Sequence, residues 1–140
     1  MAVSASARPD LTSRSEIIRL VDAFYDRVRD DDVIGPIFND IARVDWAAHL
    51  PRMYDFWESV LFGEAVFKGN PLAVHISLAE RTPLTSVQFD RWLALFGATV
   101  DQLFEGPLAN EAKARAARIA QVLQYHTMAA SEAALTSGKQ

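Results

Sequence analysis

An all-α fold is what the sequence predicts, on three observations. Successive stretches carry apolar residues at three- and four-residue intervals, the period of a helix with one buried face. The stretches are bounded by starters and breakers: Ser13 with Glu16 and Thr85 with Gln88 at capping-box spacing, and Gly63, Gly106 and Pro107 as stops. No Val/Ile/Thr-rich alternating runs separated by hairpin turns occur.

Ser13 and Glu16 open the first helix, expected from about Arg14 to Asp30, and Ile17, Ile18, Val21, Phe24, Tyr25 and Val28 give it an apolar face. Asp30, Asp31 and Asp32 follow. Three adjacent side chains point in different directions, so this run reads as a solvated helix end and not as a metal site. Gly35 and Pro36 break the chain, and Ile37 with Phe38 puts two large apolar groups into a connecting segment. Asp45 is the N-cap of a second helix whose stripe, from Trp46, His49, Leu50 and Met53 through Phe56 and Trp57 to Leu61, stops at Gly63. Asn70 as cap and Pro71 as first residue begin a short third helix, Leu72 to about Leu78, with His75 in its middle. Thr85 and Gln88 open a fourth, where Phe89, Trp92, Leu93, Phe96, Val100 and Leu103 share a face. An Ala-rich last helix, about Leu108 to Ala130, carries Ala112, Ala116, Ile119, Ala120 and Leu123. The expected organisation is one domain over residues 14–130, between a flexible N-terminal segment at 1–13 and a flexible tail at 131–140.

With 140 residues, half of them hydrophobic, the chain can bury a core without a disulfide or metal. A formal charge of −4 gives no general attraction to phosphate backbones, so no nucleic-acid partner is expected. The absence of Cys rules out thiolate zinc sites, iron–sulfur clusters, a cysteine nucleophile and thioether attachment of a c-type haem. The most apolar stretch, Ser59 to Phe67, is interrupted by Gly63 and Glu64 and falls far short of the roughly 20 residues of a membrane span. The first dozen residues lack the apolar region of a secretory signal, and a soluble, cytoplasmic protein is expected.

Gly-rich nucleotide loops, His-Glu-x-x-His and Gly-x-Ser-x-Gly are all absent. Trp46, Leu72 and Leu123 stand three residues before the three histidines, which removes the Glu-x-x-His of di-iron bundles. What remains is a set of polar tips on apolar faces: Tyr25, His49, His75 and Trp92, each on a different helix. Any one alone is most simply a hydrogen-bonded core residue. Together they offer hydroxyl, imidazole and indole groups that can surround a polar ligand in an apolar pocket. His126, near the end of the last helix, reads as surface.

The run Phe24-Tyr25, Val28-Arg29, Gly35-Pro36-Ile37-Phe38, His49, Met53, Phe56-Trp57, Gly69-Asn70-Pro71, His75 and Phe89-x-x-Trp92-Leu93-x-x-Phe96 resembles the group III truncated haemoglobins. The match spans about Ile17 to Leu123 and lies in the order and spacing of five segments. The resemblance implies a two-over-two helical sandwich around one non-covalent haem b. His75 then matches the proximal iron ligand, an imidazole that binds iron through one nitrogen while the other donates to a carbonyl. Tyr25 and Trp92 match the distal hydroxyl and indole donors to the bound ligand, and His49 the distal histidine read as a gate to solvent. Phe38 matches the aromatic against the porphyrin, with Met53, Phe56, Phe24 and Phe96 completing the apolar wall. Arg81 is a propionate candidate on charge and position. Phe67 stands where relatives often have Tyr, and Gln88 where they often have His; both are peripheral.

The function so implied is binding of O2 and related small ligands (NO, CO, peroxide), with redox or detoxification chemistry driven by an external reductase. No reductase domain fits in the chain. A non-catalytic gas carrier or sensor is the alternative, and a haem-free helical interaction module is a third reading.

Overall fold

Ile17, Leu20, Val21, Phe24, Tyr25 and Val28 recur at helical intervals and are all buried on α1, Arg14–Asp30. The structure, a computed structural model, describes residues 8–63, 69, 71–79, 81–82 and 84–138; side chains at 71–73, 76 and 130–138 fall outside the description. After α1 come α2 (Trp46–Phe62), α3 (Pro71–Ala79), α4 (Ser86–Leu103) and α5 (Pro107–Gly138). Among the described residues there is no strand. α1 packs on α2 and α4, α5 packs on α4 and α3, and α2 also meets α5, which makes a sandwich of two helices over two. Phe24, Trp57 and Phe96 meet at its centre: the Phe24 ring stands edge-on to Phe96 at 5.2 Å, and Trp57 stacks on Phe96 at 4.8 Å.

The helix ends follow local chemistry with two exceptions, at α1 and at α2, where Asp45 stands at the N-cap position but its side chain makes no cap bond. At α4 the capping box forms, the Thr85 hydroxyl accepting from the Val87 N–H and Gln88 accepting from the Thr85 N–H at 2.7 Å. At the end of α2, Gly63 takes φ 72°, a left-handed conformation open to glycine at little cost. At α1 the box spacing is present but its bond differs: the Ser13 hydroxyl donates to the Glu16 carboxylate and accepts no backbone N–H. Asn70 and Phe67 lie outside the described residues.

Three segments depart from the sequence expectations. Residues 8–13, the described part of the segment read as a flexible lead-in, are tied down: Leu11 is fully buried in the core, and the carbonyl of Pro9 accepts from the Glu105 N–H at 3.0 Å. The connecting segment after Gly35 and Pro36 closes into a single turn of π-helix, Ile37–Ile41, with the Ala42 N–H on the Ile37 carbonyl at 2.8 Å. α5 continues to Gly138 instead of ending near Ala130. No described helix is long and apolar enough to cross a membrane.

Asp10 explains why the lead-in is fixed. Its two carboxylate oxygens accept the N–H groups of Leu108 at 3.1 Å and Ala109 at 2.8 Å, so it caps α5 from the far end of the chain. Gly106 must be glycine here: its φ is 129°, and a Cβ would stand 2.6 Å from the Asp10 carboxyl carbon. Burial pushes the Asp10 pKa up, but the backbone bonds from Leu108, Leu11 and Ala109 outweigh it and the net shift is down. The cap's stabilisation is therefore present above the ordinary carboxylate range and lost as pH falls through the lowered value. Asp10→Ala is expected to cost about 1–2 kcal/mol of stability at neutral pH, read as a lower denaturation midpoint, with the difference from the parent vanishing in acid. An unchanged neutral midpoint would refute the cap.

Candidate functional site

An apolar cavity of about 450 Å³ opens between the helices, within the range of small-ligand and cofactor sites. Each element delivers its part by helical spacing. α1 supplies Tyr25. α2 supplies His49, then Met53 four residues on, then Phe56 and Trp57 three and four residues after that. The segment carrying the π turn supplies Ile34, Ile37 and Phe38, and α3 supplies His75. α4 adds Gln88, Phe89 and Trp92, and α5 adds Ile119, Ala120 and Leu123.

Of the candidates from the sequence, Tyr25, His49, His75, Trp92, Phe38, Met53 and Phe56 thus share one cavity. Phe24 and Phe96 do not reach it. They stand behind Trp92: Phe24 meets it edge-on at 5.8 Å and Phe96 stacks on it at 5.6 Å, so they set the position of the indole. Arg81 lies outside the lining; it is exposed and donates to the Ile41 carbonyl at 3.2 Å, which ties the start of the α3–α4 connection to the π turn. Two arginines do line the cavity, Arg43 and Arg52. Arg52 follows His49 by three residues, the one sequence signal for it; Arg43 gives no such signal. Arg43 has φ 50°, an unusual conformation for a residue with a side chain.

Tyr25 and His49 are held neutral in this apolar space. Burial alone pushes the Tyr25 phenol far above its ordinary pKa, so it remains an O–H donor at any physiological pH. Burial first, then the charges of Arg52 and His75, lowers the His49 pKa, which leaves a neutral imidazole with one donor and one acceptor. The His49 Nε2 is buried and finds no hydrogen-bond partner among the described residues, while its ring stands edge-on to Tyr25 at 5.3 Å. An unpartnered polar atom at such depth costs free energy unless something in the cavity meets it. Among the described residues, no three His, Asp or Glu converge on a metal position.

A site residue that sequence reasoning missed is Asp31. Read as part of a solvated run, it is only 8% exposed. One oxygen accepts the N–H groups of Val33 and Ile34, both at 3.0 Å, and the other takes Arg91 from α4 at 2.7 Å. The Arg91 guanidinium holds its pKa well below the usual carboxylate range. Asp31 thereby fastens the turn bearing Ile34, Ile37 and Phe38 to the residue next to Trp92. Its partner lies 60 positions away, beyond any local pattern.

A protein-family model described as bacterial-like globin matches residues 10–128. The Group 3 truncated hemoglobin ctb of Campylobacter jejuni is 31% identical over 115 residues, covering 80% of this chain and 88% of its own. The crystal structure of a group III truncated hemoglobin from Campylobacter jejuni superposes with a TM-score of 0.74 at 31% identity, over 84% of this chain and 93% of that one. The match runs from the cap residue Asp10 through every element that lines the cavity, and the chain therefore belongs to the bacterial-like globin family, among the group III truncated haemoglobins.

Proposed function

We propose that this globin holds one haem b without covalent linkage, binds O2 and related small ligands (NO, CO, peroxide) in a polar distal pocket, and carries out redox chemistry on them with electrons from an external reductase. Globin family membership implies the haem and the gas ligand. The observation that carries the reading is the neutral His49, its Nε2 buried and unpartnered beside Tyr25, in the same apolar cavity as His75.

The residues fit the cofactor. A flat apolar macrocycle suits walls of Phe38, Met53, Phe56 and Leu123, which exclude water. His75, on the short helix α3, is the residue assigned to the iron. Arg43 and Arg52 are the cations that line the cavity, and they are the better placed partners for the haem carboxylates than Arg81, whose guanidinium is engaged by Ile41. When bound, the haem supplies iron with an open coordination position and a one-electron redox couple. This chain's own part is to hold it, to keep the pocket dry and to present donors: the Tyr25 hydroxyl and the Trp92 indole N–H, with neutral His49 able to give or accept a hydrogen bond. Those donors favour a dipolar ligand and slow its release, which suits chemistry on the ligand better than delivery.

The visible spectrum of the purified protein, reconstituted with hemin where pale, tests the cofactor. A Soret band at one haem per chain and a ferrous–CO shift typical of His ligation are expected; a folded helical protein that takes up no haem refutes the reading. Tyr25→Phe and Trp92→Phe each remove one donor at nearly constant volume, so oxygen should leave roughly five- to tenfold faster from each. Stopped-flow release at the parent rate in both variants rules out the distal roles. Rapid re-reduction and turnover of the ferric form supports redox chemistry, whereas a long-lived oxygen complex with sluggish turnover makes the protein a carrier or sensor.

A further inference from the structure

Trp46 opens α2 one turn before His49 and does not itself line the cavity. Its indole nevertheless touches three rings that do. Between centroids it lies 5.4 Å from Tyr25, 5.9 Å from Phe38 in a stacked arrangement and 5.7 Å from His49, edge to face. Over the same indole rests Arg29 of α1, its guanidinium carbon 4.3 Å from the ring centroid, well inside the roughly 6 Å reach of a cation–π contact.

Arg29 has unusual surroundings for a cation near a helix end. Among the described residues no carboxylate pairs with it, and its buried Nε finds no hydrogen-bond partner. Its backbone carbonyl accepts from the Asn39 side chain at 3.1 Å, which ties it to the π turn that bears Phe38. A partly desolvated guanidinium with no anion beside it is stabilised by the indole face, and it fixes that indole in return.

His49 has a comparable need of support. It stands near the start of α2, where a change of rotamer can turn an imidazole toward solvent and satisfy both ring nitrogens. It is nonetheless turned inward with Nε2 unpaired, in a slot formed by the edges of Tyr25 and Trp46. We propose that Arg29 and Trp46 are a positioning pair for His49: the guanidinium fixes the indole, and the indole together with Tyr25 keeps the imidazole inside the cavity. His49 is then held by packing from outside the pocket, by two residues that never meet a ligand.

The haem reading underlies only the second part of the test. In the cofactor-free protein with 15N-labelled histidine, the His49 ring resonances are compared at one neutral pH in the parent, Arg29→Gln and Arg29→Lys. Gln keeps much of the volume and removes the charge next to Trp46, so His49 signals should shift or split in Arg29→Gln and return to the parent position in Arg29→Lys. Unmoved His49 signals in Arg29→Gln overturn the proposal. In the haem-loaded ferrous protein, the infrared stretch of added CO should broaden or split in Trp46→Leu, with CO rebinding altered roughly tenfold. Trp46→Phe, which keeps an aromatic face, should restore most of the parent band. Coincident bands in parent and Trp46→Leu overturn it as well. A parent that takes up no haem defeats the proposed function, and the histidine spectra still decide the pair.

Discussion

Haem retention by the His75→Ala chain should fall by more than about a hundredfold, beyond the ten- to hundredfold that loss of a mere supporting bond costs a metal site. The reason is positional. His75 reaches the cavity from α3, a short helix packed on α5, whereas Tyr25, His49 and Trp92 come from α1, α2 and α4. The described neighbours on α3 that also line the cavity, Val74 and Leu78, are apolar and offer iron no ligand in its place. The measurement is transfer of haem to an excess of a scavenging apoprotein, followed at the Soret band. Helical circular dichroism should stay at the parent level, since His75 is only half-buried. Added imidazole should partly restore the spectrum in His75→Gly, where the deleted ring leaves room. A parent-like ferrous spectrum and transfer rate in His75→Ala would falsify the assignment.

Asp31→Ala should act through the fold, lowering stability by about 3 kcal/mol and the melting temperature by roughly 10 °C. The change strands the N–H groups of Val33 and Ile34 and removes the partner of Arg91 in one step. Arg91→Ala should cost less, because the guanidinium is half exposed and Asp31 keeps its two backbone donors. The pH dependence has a definite sign. Arg91, the main cause, holds the folded-state pKa of Asp31 below its unfolded value, so the stabilisation is present above the ordinary carboxylate range and lost as pH falls through the depressed value. Because the turn that Asp31 fastens carries Ile34, Ile37 and Phe38, Asp31→Ala should also loosen haem. The two variants separate cleanly: His75→Ala loses cofactor from an intact fold, and Asp31→Ala weakens both. A melting temperature within a degree or two of the parent for Asp31→Ala would show that the buried carboxylate contributes nothing.

These contrasts show how far the sequence could be read. α1 from Arg14 to Asp30, the Thr85–Gln88 box and the stop at Gly63 were legible because each depends on residues within about one turn of one another. Asp10 and Asp31 were not, because a carboxylate becomes a cap or a latch only when the fold brings its distant donors to it. The π turn at Ile37–Ile41 escaped for a related reason: one residue more per turn leaves no apolar period of its own over so short a length. In the site, periodicity marked Tyr25, His49, His75 and Trp92 as polar tips on apolar faces, and the family resemblance added Phe38, Met53 and Phe56. Neither could tell that Phe24 and Phe96 stand one layer behind, that Arg81 faces away, or that Trp46 braces three cavity rings from outside.

The placement of the tryptophans has an optical consequence. The sequence holds three, and Trp57 and Trp92 line the cavity while Trp46 touches the rings of Tyr25, Phe38 and His49 that do. An iron porphyrin absorbs strongly where indoles emit, and energy transfer at such range outruns emission. With no indole remote from the pocket, the loaded chain should be nearly dark under ultraviolet excitation and the emptied chain bright, so that cofactor exchange can be followed in real time by the glow of the protein itself.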